Sequence, residues 1–317
     1  MKCKKILTAL LAAACTMSGC HGDLDIMQDN KLSASNMWID ESDAETATYG
    51  IYLYMRDALK SVHDIYLCWG EFRNGLWGAG TNKTLSGVDQ TQVRTSTMSS
   101  SNAYADWSVM YKTVNQANLI LKHVPEMGIS ESVRNFSLGN AYFSRAWCYF
   151  WIARIWGDAP LALTGYESTA GDLYLPRAPK AEIFARIESD LTEAERYVTD
   201  NSDKAVATPA AVQMLKADYA LWMYRVAGGG SSYLTMAEKA IEALNLSASR
   251  LESDYAQVFS SANKLNKEVI FAVHQANGEA VNGPGYYLGW NSNYVEAAYQ
   301  NNPVPITGGN QWWWYTD

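Results

Sequence analysis

The stretch YFSRAWCYFWIARIWGDAPLAL, residues 142–163, decides the fold of this chain of 317 residues. Seven of its first fifteen side chains are aromatic, and apolar residues cover nearly every face of the helix that the pattern predicts. Arg145 and Arg154 fall on opposite faces of that helix, which makes a membrane span unfavourable. The stretch is therefore predicted to be the buried central helix of a packed core, ending near Gly157 and Pro160.

Helical patterns flank this stretch on both sides. Apolar residues recur at spacings of three and four in residues 43–62, 102–124, 179–198, 210–226 and 233–244. Thr208 and Pro209, a capping residue followed by proline, predict the start of a helix. In residues 267–275 apolar and polar side chains alternate weakly, which is typical of a short strand. The repeated helix, turn, helix order predicts a mainly α protein. We expect a tetratricopeptide-like scaffold of helical pairs with long irregular loops and little β structure.

Two segments lack a helical period. Residues 64–100 are rich in Gly, Asn and Thr, and residues 277–317 combine Gly, Pro and Asn with many aromatic side chains. Long irregular segments in a compact domain are usually functional or mobile. We therefore expect a helical-repeat domain over residues 37–276, interrupted by a loop excursion over 64–100, and a loop-rich C-terminal segment over 277–317.

The first twenty residues resemble a bacterial lipoprotein signal. Three lysines near the start precede a short apolar stretch that is too short to span a bilayer, and small residues then lead to Cys20. We interpret residues 1–19 as a signal peptide, Cys20 as the lipidated residue and residues 20–36 as a polar tether. Only Cys68 and Cys148 follow Cys20, and two cysteines make no disulfide framework; half-buried thiols are expected there.

Four segments resemble, in order, the sequence blocks of SusD/RagB-family proteins. Residues 142–163 look like the family segment R-A-x-x-Y-F-x-L-x-R-x-[FW]-G-D-x-P-L, and residues 176–198 are similar to the next, which contains I-x-x-D-L-x-x-A. ATPAAVQMLKADYALWM (207–223) and NKEVIFAVHQ (266–275) match the following two blocks. Members of the family are usually longer beyond the last block, so a C-terminal part is expected to be missing from this chain.

The resemblance implies a surface lipoprotein of the outer membrane. Such proteins bind oligosaccharides or polysaccharides, or in some cases peptides. They work with a SusC-like TonB-dependent transporter, for which they act as a lid. Two alternatives remain open from the sequence: an oligopeptide-binding import lipoprotein, and a helical-repeat scaffold for protein contacts.

Carbohydrate capture needs exposed aromatic platforms beside amide and guanidinium groups. Two non-helical stretches have that composition, WGEFRNGLWGAGTN (69–82) and GPGYYLGWNSNY (283–294). The predicted ligand-binding residues are Trp69, Arg73, Asn74, Trp77, Asn82, Tyr286, Tyr287, Trp290, Asn291 and Asn293. QWWWY (311–315) is a third candidate platform, or else a segment that packs elsewhere.

Signatures of catalysis are missing from the sequence. The four histidines form no H-E-x-x-H motif, and neither a G-x-S-x-G elbow nor a phosphate-binding G-x-x-x-x-G-K-[ST] loop occurs. Glu188 and Asp190 are interpreted as part of a solvated helix face. The formal net charge of −8 makes nucleic-acid binding unfavourable. We expect a binding protein without catalytic residues, metal or cofactor.

Overall fold

A computed structural model describes residues 37–70, 73, 77–78, 88–170, 173–247, 250–275 and 314–315. The helices and strands in chain order are α1 (Glu41–Trp69), β1 (Trp77–Gly78), α2 (Val88–Thr95), α3 (Ser108–His123), α4 (Glu131–Trp156), β2 (Ala159–Pro160), β3 (Arg177–Ala178), α5 (Lys180–Tyr197), α6 (Pro209–Arg225), α7 (Ser231–Ala243), α8 (Tyr255–Val258) and β4 (Trp314–Tyr315). Single 3-10 turns lie at Ala103–Ala105, Val124–Glu126 and Ser261–Asn263. The mainly α prediction is confirmed.

The predicted helix starts have a local chemical cause. Asp40 and Asp43 form a capping box at α1, in which each side chain accepts the other's backbone N–H at 3.2 Å. At α6 the Thr208 hydroxyl accepts from the backbone N–H of Ala211 at 3.1 Å, with Pro209 at the first helical position. Side-chain caps satisfy donors that a helix leaves unpaired at its start, so they fix where each helix begins.

Helix α4 is the centre of the core. It packs against α1 and α3 on one side and against α5 on the other, while α6 and α7 form a further pair. Nearly every residue from Ser137 to Ala153 is buried. Of the seven aromatic side chains counted above, Phe143, Tyr149 and Phe150 are fully enclosed. Residues 142–156 thus belong to the core. None of the described helices is long and apolar enough to cross a membrane.

A buried ion pair joins α4 to α5. The Arg145 guanidinium donates to both carboxylate oxygens of Asp190 at 2.7 Å, and its third hydrogen bond reaches the Asn118 side-chain oxygen in α3 at 2.8 Å. Asp190 is fully buried, so its assignment to a solvated face is wrong. Glu188 accepts hydrogen bonds from the hydroxyls of Tyr219 and Tyr233 at 2.7 Å. A charge-spacing pattern on one helix gives no information about a cation supplied by another helix.

Other differences from the sequence expectations have a packing cause. The excursion predicted over 64–100 begins later, because Ile65, Cys68 and Trp69 continue the apolar face of α1 into the core. That excursion also contains helix α2. Residues 267–275 form no strand; the Val269 N–H donates to the Asn266 carbonyl at 3.2 Å, and the Ala272 N–H donates to the Lys204 carbonyl at 2.9 Å.

The two cysteines in the described part of the chain are fully enclosed. Cys68 and Cys148 are each at most 2% exposed, and no disulfide joins them. They are more deeply buried than the half-buried thiols that the sequence suggested. Burial raises the pKa of the Cys148 thiol well above its usual range, which keeps that sulfur protonated and unreactive.

Candidate functional site

A cluster of aromatic rings lies where the predicted loop leaves the helical scaffold. We call it the ring cluster; its members are Trp69, Trp107, Tyr111, Trp147, Trp151 and Trp156. Ring centroids of Trp69 and Trp156 are 5.3 Å apart, those of Trp107 and Trp156 are 6.1 Å apart, and those of Trp69 and Trp151 are 5.8 Å apart. Tilted and edge-to-face pairs at these separations are favourable contacts. The ring cluster therefore provides a rigid base for the neighbouring loops.

Polar contacts fix both ends of the loop on this base. The indole N–H groups of Trp69 and Trp156 donate to consecutive carbonyls, those of Tyr104 at 2.9 Å and Ala105 at 3.1 Å. Asn102 caps the same 3-10 turn and also donates to the Asp89 carbonyl and to the Gln92 side chain in α2. The loop therefore starts at the end of α1 and ends at a helix that is tied to the same turn.

The prediction of Trp69 as a loop residue is wrong. Trp69 is the last residue of α1, is 8% exposed and uses its indole N–H within the fold. The stretch WGEFRNG gave no hint of this, because Trp69 reads equally well as the last core residue of a helix or the first ring of a loop. Trp69 is therefore not among the proposed ligand contacts.

Two other predicted residues fall within the described part of the chain. Arg73 is exposed, and its backbone N–H donates to the Gly70 carbonyl at 3.1 Å. Trp77 and Gly78 form β1, which pairs antiparallel with β4 so that Trp77 faces Tyr315 and Gly78 faces Trp314. The pairing brings the backbone of Trp314 and Tyr315 beside that of Trp77 and Gly78.

The remaining predicted positions lie outside the described residues. They are Cys20, Asn74, Asn82, Tyr286, Tyr287, Trp290, Asn291 and Asn293. Their assignments remain predictions.

A cleft that the sequence did not predict borders the ring cluster at Trp107 and Tyr111. It measures about 460 Å³ and opens between α3 and the described residues 161–170 and 173–176, which lie between the paired strands β2 and β3 in the chain. Its lining includes Trp107, Tyr111, Tyr166, Leu173, Tyr174 and Leu175. The aromatic residues of GYESTAGDLYL (165–175) were the available signal, but their spacing matched no motif.

Charges around the ring cluster are few and already engaged. The Arg177 guanidinium lies over the Trp107 ring at 4.5 Å and donates to the Asp158 carbonyl at 2.6 Å. Burial raises the pKa of the Tyr111 hydroxyl, which donates to the Pro160 carbonyl at 2.6 Å. Within the described ranges, no group of three His, Cys, Asp or Glu side chains is placed to hold a metal ion. The arrangement is suited to holding a ligand by ring contacts.

Comparison with known proteins places these features in one family. A family model described as "Starch-binding associating with outer membrane" matches residues 79–222. SusD-like protein P38 of Formosa agariphila is 26% identical over 190 residues, which is 60% of this chain and 36% of that protein.

Solved structures agree with the sequence relatives. NanU of B. fragilis has 30% sequence identity and a TM-score of 0.66 over 79% of this chain and 51% of that one. A SusD superfamily protein from Bacteroides fragilis NCTC 9343 has 25% identity and a TM-score of 0.69 over 88% of this chain and 60% of that one.

The alignments thus cover about a third of the curated relatives and about half to three fifths of the solved structures. The matches fall on the helical pairs and on the blocks that carry Arg145 and Asp190. Residues 79–222 thus match the SusD-like family model, and the sequence relatives and solved structures support membership of the SusD/RagB family.

Proposed function

We propose that this protein is a cell-surface lipoprotein that binds oligosaccharides or polysaccharides and delivers them to a SusC-like TonB-dependent transporter in the outer membrane. The single observation that supports this most is family membership, since the matching family model is described as starch-binding and as associating with the outer membrane. The same fold occurs in a laminarin-binding SusD-like protein and in a structure with xylogluco-oligosaccharide, at 17% and 22% identity. Those likenesses support the fold, and the ligand remains a proposal.

The proposed binding face combines the two aromatic loops. In it, Trp77 and Trp290 offer flat rings for the C–H faces of sugar units, with Tyr286 and Tyr287 beside them. Hydroxyl groups of the ligand would bond to the polar side chains predicted for the face, which are Arg73, Asn74, Asn82, Asn291 and Asn293. Anchoring of the first loop at the ring cluster and its pairing with β4 support a face held in place before ligand arrives.

Binding without chemistry is part of the proposal. A rigid face of rings and amides holds a ligand but provides no group to attack or protonate it. Affinity for a short glycan should be micromolar or weaker, corresponding to a binding free energy of about −8 kcal/mol or less in magnitude. Many copies on one cell surface would strengthen the capture of a long chain.

Trp77→Ala and Trp290→Ala test the binding face. Each variant should bind an oligosaccharide recognised by the parent protein more weakly in calorimetry, while its thermal unfolding stays close to that of the parent. Tyr255→Ala is a suitable control, because Tyr255 is 78% exposed on α8 and outside both loops. If both tryptophan variants bind like the parent, the two loops are not the binding face.

Cys20→Ala tests the anchor. The lipid is attached to the cysteine thiol, so the variant should lose lipid labelling and remain out of the membrane fraction. Retention of the label and of the membrane association in the variant would contradict the lipoprotein assignment. A Cys68→Ala variant, which changes a buried thiol, serves as the control and should stay lipidated.

A further inference from the structure

We propose that the cleft beside α3 is a second carbohydrate site, which stacks a neutral pyranose unit of the same bound chain. The inference rests on the proposed function, because it takes the ligand to be a glycan. It adds a site away from the two aromatic loops. The cleft volume of about 460 Å³ falls within the range of about 300–1,000 Å³ that small-molecule sites occupy.

The wall of the cleft is held by hydrogen bonds from two asparagine side chains of α3. The Asn115 amide clamps the backbone of Tyr166, donating to its carbonyl at 3.0 Å and accepting from its N–H at 2.7 Å. The Asn118 amide donates to the carbonyls of Ala162 at 3.0 Å and Thr164 at 3.3 Å. A wall held in this way loses little conformational entropy when a ligand binds.

Steric fit holds the same wall against α3. A Cβ atom added at Gly165 would lie 2.9 Å from the backbone nitrogen and 3.0 Å from the Cα of Leu119. Real Cβ atoms essentially never approach backbone so closely, so only glycine permits this contact. The segment is therefore shaped to lie flat on the helix and to leave the cleft beside it.

The cleft exposes apolar side chains that the fold itself does not bury. Tyr174 is 93% exposed and its neighbour Leu173 is 42% exposed, while Tyr166 and Trp107 lie half-buried at the floor. Three of the four lining rings are tyrosines, which join a flat apolar face to a hydroxyl. This combination fits the C–H face of a sugar ring together with its outer hydroxyl groups.

The polar groups of the cleft favour a neutral unit over a charged one. The Asn115 and Asn118 amides are engaged with backbone, and the Arg177 guanidinium is held by the Trp107 face and the Asp158 carbonyl. None of the described residues that line the cleft carries a charge. Binding here should depend on ring stacking and on shape, and be insensitive to salt.

Continuity with the loop region suggests that one chain reaches both sites. Trp107 contacts Trp156, and Trp156 contacts Trp69, from which the first aromatic loop departs. The ring cluster thus connects the cleft to the end of α1, where the first aromatic loop begins. A long oligosaccharide that occupies both gains affinity over a short one, because its second contact is intramolecular.

Chain-length dependence tests the inference. Malto-, laminari- and xyloglucan oligosaccharides of increasing length are titrated calorimetrically into the full chain and into Tyr174→Ala. We expect the parent to bind long members of one series more tightly than short ones. Tyr174→Ala should weaken binding of the long members about threefold to tenfold and flatten the length dependence, as loss of one stacked ring does.

Two control variants isolate the ring. Tyr174→Phe keeps the ring and should retain most of the length dependence. Tyr255→Ala removes another largely exposed ring, far along the chain, and should leave binding unchanged. All three variants should unfold at the parent's temperature, because both side chains are exposed.

The outcomes separate the two proposals. If Tyr174→Ala keeps the parent's full length dependence while Trp77→Ala loses binding, the second site is wrong and the proposed function stands. If Tyr255→Ala weakens binding as much as Tyr174→Ala does, the effect is not specific to the cleft and the inference fails. If the parent binds no member of the three series, the proposed function fails and this inference fails with it.

Discussion

Arg145 in α4 and Asp190 in α5 form a bidentate ion pair, with both N···O distances at 2.7 Å and both side chains at most 6% exposed. The two residues are 45 positions apart in the chain. Through Asn118, the same guanidinium is linked to the carbonyls of Ala162 and Thr164. One pair therefore connects the central helix, its neighbours and the wall of the cleft.

Breaking this pair should destabilise the protein strongly. Arg145→Met removes both hydrogen bonds that the buried Asp190 carboxylate receives from the Arg145 guanidinium, and we expect a loss of about 3–5 kcal/mol in the free energy of unfolding. Urea denaturation of the variant and of the parent measures this loss. Arg186→Ala is the matched control, because Arg186 also approaches Asp190, at 3.6 Å, but from a side chain that is 32% exposed. Its loss should be below about 1 kcal/mol; equal losses in the two variants would contradict this account of the pair.

Two helical glycines should respond to alanine with opposite signs. A Cβ at Gly139 would lie 2.7 Å from the Val198 Cγ2 and 3.1 Å from the Val198 backbone nitrogen, so Gly139→Ala should cost about 1–3 kcal/mol of stability by overpacking. Gly50 in α1 would meet only the Gln116 amide, at 3.6 Å. Gly50→Ala should therefore stabilise by about 0.5–1 kcal/mol through helix propensity. Thermal unfolding of both variants checks the signs. If Gly139→Ala is as stable as the parent, the close contact between Gly139 and Val198 is contradicted.

Trp69 and Trp77 should differ in what they contribute to stability. Trp69→Ala removes a ring that is 8% exposed and leaves the Tyr104 carbonyl without its donor, so we expect a loss of about 3–5 kcal/mol. Trp69→Phe keeps much of the packing and should lose about 1 kcal/mol or somewhat more. Trp77→Ala should cost much less, because the sequence predicts that its ring belongs to an exposed loop. Equal, large losses for Trp69→Ala and Trp77→Ala would assign the loop ring to the core.

Stability should fall in alkaline solution because several tyrosines are buried. Burial raises the pKa of Tyr52, Tyr111, Tyr149 and Tyr219 above the usual value. The folded state therefore holds the hydroxyl protons of these tyrosines more tightly than the unfolded chain, in which tyrosine titrates at about pH 10. Their contribution is complete below that pH and is lost as the pH rises above it. Urea denaturation at increasing pH, with tyrosinate absorbance recorded in parallel, should show the decline; a constant free energy of unfolding well above pH 10 would contradict it.

The helical scaffold was predictable because its signals are local. Apolar spacing, the Thr208–Pro209 start and the all-round hydrophobicity of residues 142–156 depend only on neighbours in sequence. The partners of Asp190 and Trp69 were not predictable in this way. Asp190 is held by a cation on another helix, and Trp69 by a carbonyl 35 residues away. Long-range pairing of this kind leaves no period in the sequence.

The candidate site was predictable in composition more than in geometry. The aromatic content of the two loops can be read directly from the sequence, and the resemblance to the family suggested that they bind ligand. The cleft beside α3 was missed because it depends on Asn115, Asn118 and Gly165, three residues whose importance lies in backbone contacts across the fold. None of these residue types indicates a binding site when read alone.

Calorimetry of the full chain against a panel of polysaccharides and of oligopeptides tests the central claim, namely that the protein captures glycans without changing them. The panel is followed by analysis of the incubated ligands for cleavage products. We predict binding of at least one polysaccharide class, weaker or absent binding of the peptides, and ligands recovered intact. Binding confined to peptides would favour the oligopeptide alternative, and the recovery of shortened glycans would contradict the claim that the protein only binds them.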